Sequence, residues 1–284
     1  MAYSVSMSSA QHHSTSTQTA TATEPARATP KSIFVSGGAT GIGKAVATKF
    51  LDAGWVVGAY DIDGDRLEQF QSEYPQLIIG HLDVTDAQQW EEALSHFTSY
   101  TGGTLTVLDN NAGVIGFGDI TDQDPDLIAA QITINCTGVT LGARAAHKYL
   151  RKTPGAHLVN MGSASSIYGQ PHIVPYSASK FYVQGFSQAL DLEWEKDDIR
   201  VVNIMPLWAK TKLASGDAES IKRLGVNLTP EQVADKIWQA VHPSNRLIRG
   251  RIMYSVGMPS LLMRYSARFA PSIAVRFINK LIAQ

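Results

Sequence analysis

A short apolar run that breaks directly into glycines constrains this chain more than any other feature. Ser32 to Ser36 (SIFVS) reads as a buried strand, and Ser36 to Gly43 (SGGATGIG) follows at once. Residues 41 to 53 (GIGKAVATKFLDA) then space apolar side chains as one face of a helix. Strand, glycine turn and helix in that order open a dinucleotide-binding unit, in which the turn lets the backbone approach a pyrophosphate. The following helix offers free N–H groups and the positive end of its dipole.

The alternation continues. Trp55 to Tyr60 is a second strand with Asp61 at its end, and a helix around Asp65 to Tyr74 follows. Gln76 to Leu82 is a third strand ending in Asp83, Asp86 to Thr101 a helical stretch, and Leu105 to Leu108 a fourth strand leading into Asn110-Asn111-Ala112-Gly113. His157 to Met161 and Arg200 to Met205 are later strands. Strands alternating with helices imply an α/β fold: a doubly wound parallel sheet (Rossmann fold), covered on both faces. No internal repeat or linker interrupts the chain after residue 31, so one domain is expected over 31–250. It would include a substrate loop near 207–225.

With 284 residues and 17% charged side chains the chain belongs to the globular class. A net charge of −1 gives no whole-protein argument for nucleic acid. The single cysteine, Cys136, excludes an internal disulfide and any cysteine-cluster metal site, which fits a reducing, cytoplasmic setting. Residues 1 to 30 are rich in Ser, Thr, Ala and Gln without an apolar stretch, and read as a disordered leader rather than a secretory signal.

The glycine spacing is Gly37-x-x-x-Gly41-x-Gly43, with Val46 where the dinucleotide fingerprint has its third glycine. Asp61 falls 18 residues after Gly43, where a carboxylate takes both ribose hydroxyls and repels a 2′-phosphate. No Arg or Lys stands at Gly38 to Thr40 or at Ile62, so NAD is expected over NADP. The other reading of Asp61 is a plain turn residue in Asp61-Ile62-Asp63-Gly64. Further along, Tyr176 and Lys180 stand four apart on one helix face, with Ser163 thirteen positions earlier. A lysine ammonium beside a phenol lowers its pKa from the free value near ~10 towards the range a base needs. These residues read as proton transfer coupled to hydride transfer.

Taken together, the chain resembles the short-chain dehydrogenase/reductase family in its single-domain form. The resemblance runs from about Lys31 to about Thr211, more loosely to residue 250. It rests on Ser36-Gly37 with Gly41-Ile42-Gly43, Asp83-Val84, Asn110-Asn111-Ala112-Gly113, Asn135, Ser163, Tyr176 with Lys180, and Pro206 with Thr211, in the family's order. It implies that Asn135, Ser163, Tyr176 and Lys180 are catalytic, Asn135 by holding a water that relays protons to Lys180. It implies a cofactor site of Gly37, Thr40, Gly41, Ile42, Gly43, Asp61, Asp83, Val84, Asn111, Ala112, Gly113, Pro206, Ala209 and Thr211, with Tyr176 and Lys180 on the nicotinamide ribose. A homodimer or homotetramer through the helices carrying Asn135 and Tyr176 is also implied. Three positions depart from the family pattern: Leu207 replaces a usual glycine, Asp109 a usual apolar residue, and Gly162 a common serine.

The expected activity is interconversion of a small apolar secondary alcohol and its ketone. Trp208, Leu207 and Leu213 suggest an apolar lid, and His172 and Tyr168 lie in the segment between Ser163 and Tyr176 where substrate could touch them. The alternatives are an NADPH-dependent 3-oxoacyl-thioester reductase and a dinucleotide-binding regulator without turnover. After Asp235 the chain has no acidic residue and carries +8, against −9 for the rest. The basic, amphipathic extension at 251–284 is expected to pack on its own domain; weak membrane-surface contact, or a cleft cover or subunit contact, are the other readings.

Overall fold

A computed structural model describes residues 30–214 and 219–283. The leader read from residues 1 to 30 therefore falls, apart from Pro30, outside the described residues, as does part of the loop at 207–225.

The first half runs β1 (Ser32–Ser36), α1 (Gly41–Asp52), β2 (Val56–Asp61), α2 (Gly64–Glu73), β3 (Ile78–His81) and α3 (Ala87–Ser99). β4 (Val107–Asn110) leads to α4 (Pro125–Ile132), a π-helical turn at Thr133–Gly138, and α5 (Val139–Leu150). β5 (His157–Met161), α6 (Val174–Trp194) and β6 (Arg200–Pro206) follow. The chain closes with α7 (Glu219–Leu224), α8 (Pro230–Val241), α9 (Arg246–Arg249), β7 (Met253–Val256), α10 (Met258–Phe269) and α11 (Ser272–Ala283).

The strands form one sheet in the order β3-β2-β1-β4-β5-β6-β7, every pairing parallel. Strand alternation sends Ile33, Val35, Val159 and Val202 to one face, against Val46, Phe50, Val233 and Ile237 of α1 and α8. Phe34, Leu108, Leu158 and Val201 point to the other, against Trp90, Phe97, Ala146 and Trp194 of α3, α5 and α6. Both faces are covered, which is why the strands read as continuous apolar runs. Acidic caps start the helices: Asp63 accepts the Arg66 N–H, and Asp86 accepts those of Gln88 and Gln89. The strand order reverses between β1 and β4, so a crevice opens at their carboxyl ends.

Two elements differ from the sequence expectation. The sheet continues beyond residue 250, because Met253–Val256 pairs with β6 as an edge strand. β4 ends at Asn110 rather than Leu108, so the polar pair Asp109-Asn110 is strand rather than loop. The Asn110 amide nitrogen is accommodated by donating to the Val139 carbonyl and to Asn160 Oδ1.

Asp109 is not accommodated. It is fully buried between Val35 and Val159 on the adjacent strands, and neither carboxyl oxygen has a hydrogen-bond partner among the described residues. Burial pushes its carboxyl from 3.8 up to about 8. The folded state keeps a proton that the unfolded chain releases, so this group's contribution to stability falls as pH rises from about 4 to about 8. Asp109→Val is therefore expected to raise stability at neutral pH by about 1–3 kcal/mol. In urea melts, the gap between variant and wild type should widen across that pH window. A constant gap would contradict the burial argument.

Candidate active site

The cleft at the carboxyl ends of the strands has a volume of about 480 Å³, within the ~300–1,000 Å³ usual for ligand sites. Every site residue named from the sequence lines it except Gly43 and Asn135. Those two act from behind the wall.

At one end lies the glycine turn. Gly37 has φ +65°, and a Cβ there would stand 2.8 Å from Ala112 Cα. A Cβ on Gly43 would run into the Gly37 carbonyl and stand 2.6 Å from Asn111 Nδ2. Asn111 fixes this packing by donating to the carbonyls of Ser36 and Gly37. The Ser36 hydroxyl accepts the N–H groups of Asn111 and Ala112. α1 begins here with no side-chain cap from Thr40 and no acidic residue in its first turn. Its leading N–H groups and positive dipole end therefore suit an anion. This cradle, which any Cβ would fill, fits a pyrophosphate.

Asp61 sits at the end of β2. Its two oxygens accept the N–H groups of Ala39 at 3.1 Å and Asp63 at 3.2 Å. It is thus both turn former and cleft residue. Arg66 also lines the cleft, a cation the sequence reading did not find because it lies a helical turn beyond the positions considered. Its Nε pairs with Asp63 at 3.0 Å. Asp83 accepts both the N–H and the hydroxyl of Thr85, and the Val84 carbonyl accepts the Trp90 indole N–H.

At the other end, Ser163 stands at the end of β5 and Tyr176 and Lys180 on α6. The Ser177 hydroxyl ties helix to loop, donating to the Ser165 carbonyl and accepting the Gln170 N–H. Lys180 is buried, donates to the Met161 carbonyl at 2.8 Å, and lies 5.4 Å from the Tyr176 ring centroid. Burial pushes this ammonium down to about 8. Burial also pushes the Tyr176 phenol up to about 12, with the Ser163 hydroxyl pulling the other way. Burial of the phenol therefore opposes the lowering that the sequence reading expects from Lys180, and the group that pulls the phenol down here is the Ser163 hydroxyl.

Asn135 sits in the π-helical turn, fully buried. Its amide accepts the Val114 N–H and donates to the Val114 carbonyl and the Ser179 hydroxyl. Its side chain therefore braces the segment after Gly113. Gly162 also has a local reason, since a Cβ there would run into Asn203 Oδ1. Leu207, Trp208 and Leu213 line the cleft, and Trp208 stacks on Phe117 at 6.3 Å. His172 pairs with Asp119 and Tyr168 reaches Ser266, and neither lines the cleft. Cys136 is buried, its thiol pushed up by burial. The described residues contain no cluster able to hold a metal ion.

The sequence profile of the family described as short chain dehydrogenase matches residues 31–221. This chain belongs to the short-chain dehydrogenase family. As a member it is an NAD(P)-dependent oxidoreductase of alcohol and carbonyl groups. A relative from Mycobacterium tuberculosis, a 3-alpha-(or 20-beta)-hydroxysteroid dehydrogenase, is 31% identical over 72% of this chain and 78% of its own. A 3-ketoacyl-(acyl-carrier-protein) reductase from Brucella melitensis, solved with NADH, superposes with a TM-score of 0.73 at 22% identity, covering 80% of this chain and 96% of its own. A short chain dehydrogenase from Burkholderia cenocepacia, solved with NADP, gives 0.75 at 19% identity over 88% and 97%. This dehydrogenase shares their fold.

Proposed function

We propose that this chain is an NAD-dependent dehydrogenase that interconverts an apolar secondary alcohol and its ketone. The observation that carries the reading is the cleft itself, which joins Ser163, Tyr176 and Lys180 at one end to Asp61 and the glycine turn at the other. Gly37, Thr40, Gly41 and Ile42 would cradle the pyrophosphate, and Asp61 would accept from the adenosine ribose hydroxyls. Asp83 and Val84 would hold the adenine, and Asn111, Ala112 and Gly113 the adenosine ribose side. Pro206, Ala209 and Thr211 would close over the nicotinamide end. When bound, the dinucleotide supplies the hydride acceptor or donor.

The protein's own groups do the rest. Ser163 donates to the substrate oxygen and stabilises charge developing there. Tyr176 takes the hydroxyl proton in oxidation and returns it in reduction. Lys180 carries three N–H donors, of which one is on Met161, and the others would reach the ribose and steady a phenolate. Asn135 would keep Val114 and the adjoining wall in place, and carry the proton relay through a water. The apolar lid of Leu207, Trp208 and Leu213 supports an apolar substrate, and the hydroxysteroid relative points the same way. α4 and α6 also present Leu127, Ile132, Val174, Phe181 and Tyr182 to solvent, a face suited to a homodimer or homotetramer. The single, buried Cys136 fits a cytoplasmic setting.

A second reading, an NADPH-dependent 3-oxoacyl-thioester reductase, is favoured by one observation. Arg66 stands in the cleft and could turn from Asp63 to a 2′-phosphate. Fluorescence titration with NADH and NADPH separates the two. Wild type is expected to bind NADH more tightly, and Asp61→Asn to shrink that preference by at least about tenfold, the loss of one charged hydrogen-bonding group. Tighter NADPH binding by wild type would overturn the NAD reading and put the reductase first.

A further inference from the structure

The last two helices leave an apolar stripe unburied. On α10, Met258, Leu262, Tyr265 and Phe269 are exposed at steps of four, three and four, and on α11 Ile273, Phe277 and Leu281 are exposed at steps of four. Phe269 and Ile273, on either side of the Ala270-Pro271 link, are each 79% exposed. α10 is held to the domain by its other side, where Ser260 donates to the Met205 carbonyl and Arg264 to that of Met253. The stripe is therefore not a core surface turned out by poor docking. Isolated exposed apolar side chains are ordinary, but helically spaced rows of them on two consecutive helices mark an interaction surface.

Charge says what it meets. Arg223, Arg276 and Lys280 line one groove with Ile273, Phe277 and Leu281. The chain after Asp235 carries +8 with no acidic residue, while the remainder carries −9. Cations flanking an apolar row complement a surface that is anionic outside and apolar beneath. No helix among the described residues is long and apolar enough to cross a bilayer, so such contact would lie along the surface.

We propose that α10 and α11 dock this protein on an anionic phospholipid bilayer, with the apolar row entering the interface and Arg276 and Lys280 pairing with headgroup phosphates. The same helices are tied to the segment that leads into the cleft. Asn279 donates to the Gly169 carbonyl, Tyr168 reaches Ser266, and neighbouring Gln170 lines the cleft. Docking thus sets the cleft beside the lipid surface. The proposal does not depend on which dinucleotide or alcohol the cleft takes.

The test is co-sedimentation of the full chain with vesicles of phosphatidylcholine alone, or mixed with phosphatidylglycerol, at low and high salt. Mass in solution and NADH binding are measured on the same samples. Wild type is expected to sediment with the anionic vesicles only, less so at high salt. Arg276→Glu/Lys280→Glu should weaken that binding by at least about 25-fold, roughly fivefold for each cation lost, with mass and NADH binding unchanged. Phe269→Glu/Phe277→Glu should do the same; should it fail to fold, the charge variant, on exposed positions, decides alone. Equal binding to neutral vesicles, no binding to either, or a drop in solution mass in the variants would overturn the proposal, the last by making the stripe a subunit contact.

Discussion

Tyr176→Phe is expected to reduce turnover by about 10³-fold, the middle of the range for loss of a general acid–base group, while leaving dinucleotide binding close to wild type. The ring stays where it is, facing Lys180 at 5.4 Å, and only the hydroxyl that moves the proton is removed. The pH dependence should carry the same signature. Burial sets the phenol at about 12 and the Lys180 ammonium at about 8, so in the free protein the phenol is protonated and lysine loses its charge first. Oxidation, which needs the phenolate, should therefore gain with rising pH only while Lys180 remains charged. A Phe variant that kept most of its turnover would remove Tyr176 from the chemistry.

The second large effect is expected at the glycine turn. Gly43→Ala places a methyl group against the Gly37 carbonyl and Asn111 Nδ2, both part of the packing that joins β1 to β4. Backbone cannot give way as a flexible side chain does. The substitution should cost about 1–3 kcal/mol of stability and weaken dinucleotide binding about tenfold or more, since about 1.4 kcal/mol of misfit suffices for that. Gly64→Ala, where a Cβ meets nothing within 4 Å, is the matched control and should leave both unchanged. NADH titration and urea melts of the two variants check this. A Gly43→Ala protein that binds as wild type would mean that the turn does not form the cradle.

Much of this architecture is legible in the sequence because strand, glycine turn and helix follow one another without interruption. β1 and α1 needed nothing but hydrophobic period and glycine position. β4 was read two residues early, at Leu105 to Leu108, because Asp109 and Asn110 are polar, and only the structure places them inside a buried strand. β7 was not read at all. Four residues, Met253 to Val256, with basic residues upstream and a helical pattern downstream, carry too little alternation to stand out, and their strand character comes from pairing with β6. Arg66 escaped because it enters the cleft from the first turn of α2, held by Asp63, beyond the positions read for a phosphate-binding cation. The cleft residues on glycines, Asp61, Tyr176 and Lys180 were found because their spacing is set by local geometry. The opposing pulls of burial and of the Ser163 hydroxyl on Tyr176 could not be, because burial is a property of the fold.

The central claim is dinucleotide-linked oxidation at the Ser163, Tyr176 and Lys180 end of the cleft. It is tested most directly by incubating the purified protein with NAD and an apolar secondary alcohol of the hydroxysteroid type and following NADH formation, with Tyr176→Phe alongside. Steady NADH formation by wild type and its near-absence in the variant is the predicted result. A protein that binds NADH tightly yet turns over neither this alcohol nor its ketone, and behaves identically as the Phe variant, would contradict it and leave a dinucleotide-binding regulator in its place.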